Sequence, residues 1–211
     1  MADPVRLAVL LSGGGTTLEN LFARIEEGSL DAEVAVVIAT RPDAYGLVRA
    51  ANHGVEHLVL ERKTFKSAAE FSAALNAKLD EYGVDLVCLA GFMVIWKMSD
   101  RYLGRVMNIH PALIPAFCGR GYYGHFVHDA VLEYGAKVSG CTVHFADRVY
   151  DHGPVIVQKT VPVLDDDTPE TLAGRVFEKE CEAYPEAIQL FAEGRLKIEG
   201  RRVRILPKNE T

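Results

Sequence analysis

Cysteine is scarce in this chain. The 211 residues include only Cys88, Cys118, Cys141 and Cys181, and no two have Cys-x-x-Cys spacing. That excludes a disulfide scaffold and a thiolate zinc site, and it fits reduced thiols in a cytosol. Cys88, inside "VDLVCLAG", reads as core; Cys118, in a glycine-rich loop, leaves a reactive thiol open. No apolar run is long enough to span a bilayer, and the opening "MADPVRL" contains no signal h-region. The expectation is a cytoplasmic protein with no membrane partner. Positive charge is also in deficit, with 23 Lys+Arg against 29 Asp+Glu and a net charge of -6. A nucleic-acid partner, which would need a basic face, is therefore not expected, although a locally bound phosphate remains compatible. Repeats, low-complexity stretches and linkers are missing, so the expectation is one domain over residues 1–211.

Apolar residues are plentiful at 49%, enough for a real core. Wholly apolar runs alternate with helical patterns. "VRLAVLL", "EVAVVIAT", "EHLVLE" and "VDLVCLAGF" read as strands, separated by "TTLENLFARIEEG", "YGLVRAANHG" and "SAAEFSAALNAKLDEYG" as helices. A short helix near "SDRYLGR" precedes a fifth strand, "RVMNIHP". Strands apolar throughout and alternating with helices imply an α/β fold with a mostly parallel twisted sheet flanked by helices and a Rossmann-like N-terminal half, about 5–115. In the second half, about 116–211, a loop and helix precede the strands "KVSGCTVHFAD" and "GPVIVQKTVPV". A long helix follows from cap Thr168 and Pro169, its capping box incomplete because Thr171 stands where Glu or Gln is usual. "RLKIEGRRVRIL" closes the chain as a hairpin across Glu199-Gly200.

Three places could carry chemistry. In "LSGGGTTLEN", glycines between a strand and a helix let backbone N–H groups reach an anion at the helix's positive end. The dinucleotide fingerprint fails at Leu18, and a Walker lysine is missing. A monophosphate cradle on Gly15, Thr16 and Thr17 remains, beside the plainer reading of a turn that only reverses the chain. Next, alternation puts Asn108 and His110 on one face of their strand, with Ile109 on the other. They either satisfy each other in a core or await a substrate. Finally, Asp151 in "YDHGPVIVQ" is either a turn former or a carboxylate that orients a histidine, and sequence does not say which histidine it meets. His125 and His128 sit three apart at a helix start, but no Cys or carboxylate pattern completes a metal site, so no metal is expected.

Taken in order, "SGGGTTLENL", "LAGFM", "NIHPALIP", "VSGCTVHF" and "YDHGPVIVQ" resemble the glycinamide ribonucleotide formyltransferase family of folate-dependent formyltransferases, from about residue 5 to about 200. The resemblance implies the formyltransferase fold and transfer of a formyl group from 10-formyltetrahydrofolate, a cosubstrate, to the amine of 5'-phosphoribosylglycinamide in purine biosynthesis. It implies Asn108, His110 and Asp151 as the catalytic trio. Asn108 and a protonated His110 would donate to the formyl oxygen as in an oxyanion hole, and Asp151 would raise the pKa of His110. It implies Gly15, Thr16, Thr17 and Glu180 as ribonucleotide contacts, and Phe92, Met93, Val94 and Ile95, with Asn108, as folate contacts. The partners implied are small molecules, with a monomer or homodimer expected.

Three positions depart from that family. Thr16-Thr17 replaces Ser-Asn in the phosphate loop. Val94 replaces an arginine able to meet the folate's glutamate tail, a role open to Lys97. The loop "FCGRGYYGHFVHDA" replaces a "PGLHTHRQA"-like run. The nearest alternative is formyltetrahydrofolate deformylase, which hands the formyl group to water and usually carries a regulatory domain ahead of the first strand. Methionyl-tRNA formyltransferase is disfavoured by the acidic charge and the lack of a further C-terminal domain. A non-catalytic nucleotide-binding module would have no need of the trio, and an NAD enzyme is disfavoured by Leu18.

Overall fold

The computed structural model describes residues 3–208, which fall into two compact units that divide between Met107 and Asn108. The fold is α/β, as the alternation of apolar runs and helical patterns predicts, and the sheet is mixed, with its antiparallel pairs in the second unit.

In the first unit β1 (Val5–Leu11) is the centre. β2 (Ala32–Ala39) pairs with it on one side, β4 (Leu86–Leu89) on the other, and β3 (His57–Val59) lies outside β2, all parallel. Leu7 to Leu11 have no exposed surface at all, because a strand covered on both faces must be apolar at every position. Helices α1 (Thr16–Glu26), α2 (Tyr45–Asn52) and α3 (Ala68–Glu81) bury Leu18 and Leu21, Ala50, and Phe71 and Leu75 respectively. The chain moves outward from β1 to β2 and β3, then returns to β1's free side as β4. That reversal opens a crevice at the carboxyl ends of β1 and β4, the place where open α/β sheets bind ligands. The loops leaving those two strands are "SGGG" and "GFMVI".

β5 (Val106–His110) carries the junction between the units. In the second, α4 (His125–Tyr134) is followed by β6 (Val138–Phe145) and β7 (Val155–Pro162), an antiparallel pair. Long helix α5 (Pro169–Ala192) precedes the antiparallel hairpin of β8 (Leu196–Glu199) and β9 (Arg202–Ile205), and β9 runs parallel to β7. The capping box of α5 is complete, correcting the expectation from sequence. Thr168 accepts from the Thr171 N–H, and the Thr171 hydroxyl oxygen accepts the Thr168 N–H at 2.9 Å, so a threonine fills the place usual for Glu or Gln. The short helix expected near "SDRYLGR" is a single 3-10 turn, Asp100–Tyr102.

Candidate active site

Three backbone features assemble the polar cluster at the end of β5. Thr142 on β6 donates to the Ala112 carbonyl (2.7 Å) and accepts the Ile114 N–H (3.1 Å), and Gln158 on β7 donates to the Ile114 carbonyl (3.0 Å). These bonds hold the segment after β5 against the β6–β7 pair. Gly153 brings the β6–β7 connection back so tightly that a Cβ there would lie 1.7 Å from the Phe145 carbonyl oxygen. Asp151, two residues earlier, adopts φ 50, a strained conformation for a side chain other than Asn, Asp or Gly. The result is a carboxylate turned toward the end of β5.

Asp151 meets two histidines. Its Oδ2 is 3.7 Å from His110 Nδ1 and its Oδ1 is 3.7 Å from His144 Nε2. The Gly119 N–H donates to Oδ2 at 2.8 Å. Asn108 Nδ2 lies 3.2 Å from His144 Nε2 and 3.4 Å from Asp151 Oδ1. Because His144 Nδ1 faces the Phe145 carbonyl at 2.9 Å, its proton belongs on Nδ1, leaving Nε2 to accept from Asn108. That contact turns the Asn108 amide nitrogen inward. Asn108, His110 and Asp151 are therefore brought together, and His144 joins them. Sequence leaves open which histidine Asp151 meets; the alternation of His144 with Thr142 along β6 is the one local signal for it.

Burial pushes the His110 imidazole below its ordinary value; the Asp151 charge and the Phe117 carbonyl push back by less. Asp151 does push the ring upward, as expected, but burial outweighs it, so the protonated His110 expected as an oxyanion donor is not the favoured form. Taking an imidazolium out of water costs more than one carboxylate 3.7 Å away returns, so the neutral ring is favoured at pH 7. For Asp151, burial pushes the carboxyl upward, but His144, His110 and the Gly119 N–H together hold it below the usual range. The cluster thus sets an ionised Asp151 beside a neutral His110. The thiol of Cys118 contacts the Pro115 carbonyl (3.3 Å), and burial followed by the Asp151 charge raises its pKa, which removes the reactive-thiol reading.

In the first unit, Gly15 caps α1 at φ 71 with no side-chain bond, and a Cβ on it would stand 2.7 Å from Gly46 Cα. Only glycine lets this turn lie against α2 and still present the helix N-terminus with Thr16 exposed and Thr17 half-buried. Arg49 on α2 ties the turn down, donating to the Gly14 carbonyl at 3.0 Å and to Glu19 at 2.8 Å. The segment Phe92 to Ile95 leaves β4 without regular structure, with Met93 and Ile95 more than half exposed and Phe92 and Val94 partly covered. Ser12 Oγ, buried at the end of β1, accepts the Met93 N–H at 3.0 Å and a proton from Thr40 at 2.6 Å. One hydroxyl thereby links the glycine loop to the apolar segment across the crevice.

Glu180 lies on α5 in the second unit. The residue is half-buried, and loss of hydration at its carboxyl pushes the pKa up to about 8, so it is mostly protonated at neutral pH. Among the described residues no group of three or more His, Cys, Asp or Glu is placed to hold a metal ion. The His125 ring lies tilted against Phe126 (4.0 Å), whereas His128 is buried with Nδ1 unpartnered. No described helix is long and apolar enough to cross a membrane.

Residues 5–188 match the formyl transferase family. The chain belongs to that family. Its similarity to individual formyl transferases extends over nearly its whole length. It is 37% identical to phosphoribosylglycinamide formyltransferase of Haemophilus influenzae, over 92% of this chain and 90% of that one. It superposes on glycinamide ribonucleotide transformylase 1 of Symbiobacterium toebii with TM-score 0.91 and 48% identity, covering 98% and 96% of the two chains. It is also 40% identical to the trifunctional purine biosynthetic protein adenosine-3 of Gallus gallus, but spans only 19% of that protein. A formyltetrahydrofolate deformylase of Pseudomonas syringae shares the fold, with TM-score 0.87, at only 22% identity.

Proposed function

We propose that this formyl transferase moves the formyl group of 10-formyltetrahydrofolate to the amine of 5'-phosphoribosylglycinamide. The observation that carries the reading is the convergence of Asn108, His110 and Asp151 in one partly buried cluster at the end of β5. The similarity to chains named for this transfer over nine-tenths of their length supports it. Gly15, Thr16 and Thr17 take the substrate phosphate, Glu180 the ribonucleotide, and Phe92 to Ile95 the folate. With Gly15 capping α1 without a side-chain bond and Thr16 exposed, the first N–H groups of that helix are the donors offered to the anion. Val94 offers the folate no cation.

The chemistry follows from the groups present. The amine attacks the formyl carbon, a C–N bond forms, and negative charge gathers on the formyl oxygen. Asn108 Nδ2 donates to that oxygen, releasing its long 3.4 Å contact with Asp151 while His144 continues to hold the amide. Neutral His110 accepts the proton that the attacking amine must lose. It returns that proton to N10 as the C–N10 bond breaks, leaving tetrahydrofolate and the formylated amine. Asp151 stabilises the transient imidazolium, whose charge would otherwise be buried alone. No covalent enzyme intermediate is needed.

The test is release of tetrahydrofolate from a 10-formyl folate, with and without glycinamide ribonucleotide. Release only when the ribonucleotide is present is expected. Release at the same rate without it would make water the acceptor and end the transferase reading.

A further inference from the structure

The loop least like the family pattern touches the cluster at two atoms. Phe117 holds φ 48, which turns its carbonyl oxygen to within 2.9 Å of His110 Nε2. Gly119, at φ 91, aims its N–H at Asp151 Oδ2 at 2.8 Å. Both bonds are of ordinary length, while the His110 Nδ1 to Asp151 Oδ2 separation, 3.7 Å, is too long for one. A carbonyl can only accept, so a neutral His110 bonded to Phe117 carries its proton on Nε2 and leaves a lone pair on Nδ1.

We propose that the Phe117–Gly119 turn is a positioning element of the formyl-transfer site: it occupies His110 Nε2 and anchors Asp151, so that Nδ1 is the nitrogen that carries the transferred proton. The inference rests on the function proposed above and specifies one atom of it. As the amine's N–H bond breaks, the Nδ1 lone pair takes the proton. The imidazolium then bonds Phe117 through Nε2 and faces Asp151 through Nδ1, and the proton leaves from Nδ1 to N10. Phe117 contributes its backbone, at a left-handed φ that its Cβ makes costly. Gly119 is glycine because of its φ, since a Cβ there would meet nothing within 4 Å.

The test separates the carbonyl from the side chain. Cys118→Pro disfavours the left-handed conformation at Phe117 and turns its carbonyl away. Should that variant misfold, an α-hydroxy acid in place of Cys118 converts the Phe117 carbonyl to a weaker-accepting ester without altering any side chain at 117. Phe117→Gly, which keeps the carbonyl and relieves the strain, is the rescue. Nitrogen NMR of the ligand-free protein should find neutral His110 protonated on Nε2 in the wild type and in Phe117→Gly. The ester or proline form should shift toward the Nδ1–H tautomer, with kcat down about 10–100-fold and KM little changed. An unchanged tautomer in the ester form, or a changed tautomer with unaltered kcat, overturns the proposal. Failure of the function reading is distinguishable: the wild type would then transfer no formyl group to the ribonucleotide, while the tautomer measurement still reports on the turn.

Discussion

His110 Nδ1 and Asp151 Oδ2 stand 3.7 Å apart, close enough for charge to be felt and too far for a hydrogen bond. The carboxylate can stabilise an imidazolium once it forms, yet burial keeps the resting ring neutral. A proton acceptor is thus ready beside a group that rewards its protonation, the arrangement expected of a general base.

Replacing His110 with alanine should lower kcat by about 10²–10⁴-fold, the usual contribution of a positioned acid–base group. Asp151→Asn should lower it by at least about tenfold, because the imidazolium loses its counter-charge. Both variants should keep the wild-type circular dichroism spectrum. Turnover within twofold of wild type for His110→Ala would remove this residue from the mechanism.

The pH dependence has a definite sign. His110 has a folded pKa below its ordinary 6.5, so the unfolded chain binds its proton first and stability declines as pH falls below about 6.5. Asp151, depressed below 3.8, contributes stability above that value and loses it as pH falls through the lower folded pKa. The acid limb of kcat/KM should accordingly lie below 6.5. An imidazole titration of His110 at or above 6.5 contradicts the burial argument.

Glu180 acts in the other direction. Its carboxyl is raised from 4.5 to about 8, so between those values the native state keeps a proton that the unfolded chain gives up. Stability attributable to this side chain falls as pH rises through that window. Glu180→Gln should therefore raise Tm relative to wild type at pH 8.5 and change it little at pH 4.5. Parallel melting curves at both pH values would show that burial does not govern this group.

The glycine loop is open to a binding test. Glycinamide ribonucleotide should raise the Tm of the wild type by linkage, and Thr16→Ala with Thr17→Ala should shrink that rise. Gly15→Ala should abolish it and cost about 1–3 kcal/mol of stability, since φ 71 strains alanine and its Cβ would collide with Gly46. An undiminished rise in the threonine double variant places the phosphate elsewhere.

Much of the fold was legible in the residues because burial on both faces forces apolar runs such as "LAVLL" and "VCL", and helices between them show their own period. The pairing of Asn108 with His110 was legible for the same reason, since alternation along β5 is local. The Thr168–Thr171 box is not legible, because the bond usually made by Glu or Gln is made here by a threonine hydroxyl, which carries no such signature in the sequence.

By itself, the sequence determined the alternation of strands and helices, the glycine turn before α1, and a polar pair facing one way at the end of β5. Those are consequences of neighbours along the chain. Only the tertiary structure decided that Asp151 lies between His110 and His144, that Ser12 joins the glycine loop to Met93, and that Phe117 claims one nitrogen of His110. The Asp151–His110 and Ser12–Met93 contacts join residues tens of positions apart, and those of Asp151 and Phe117 depend on left-handed backbone whose direction no local pattern encodes. The protonation of His110 belongs to the same group, because burial is a property of the packed molecule and not of the residue.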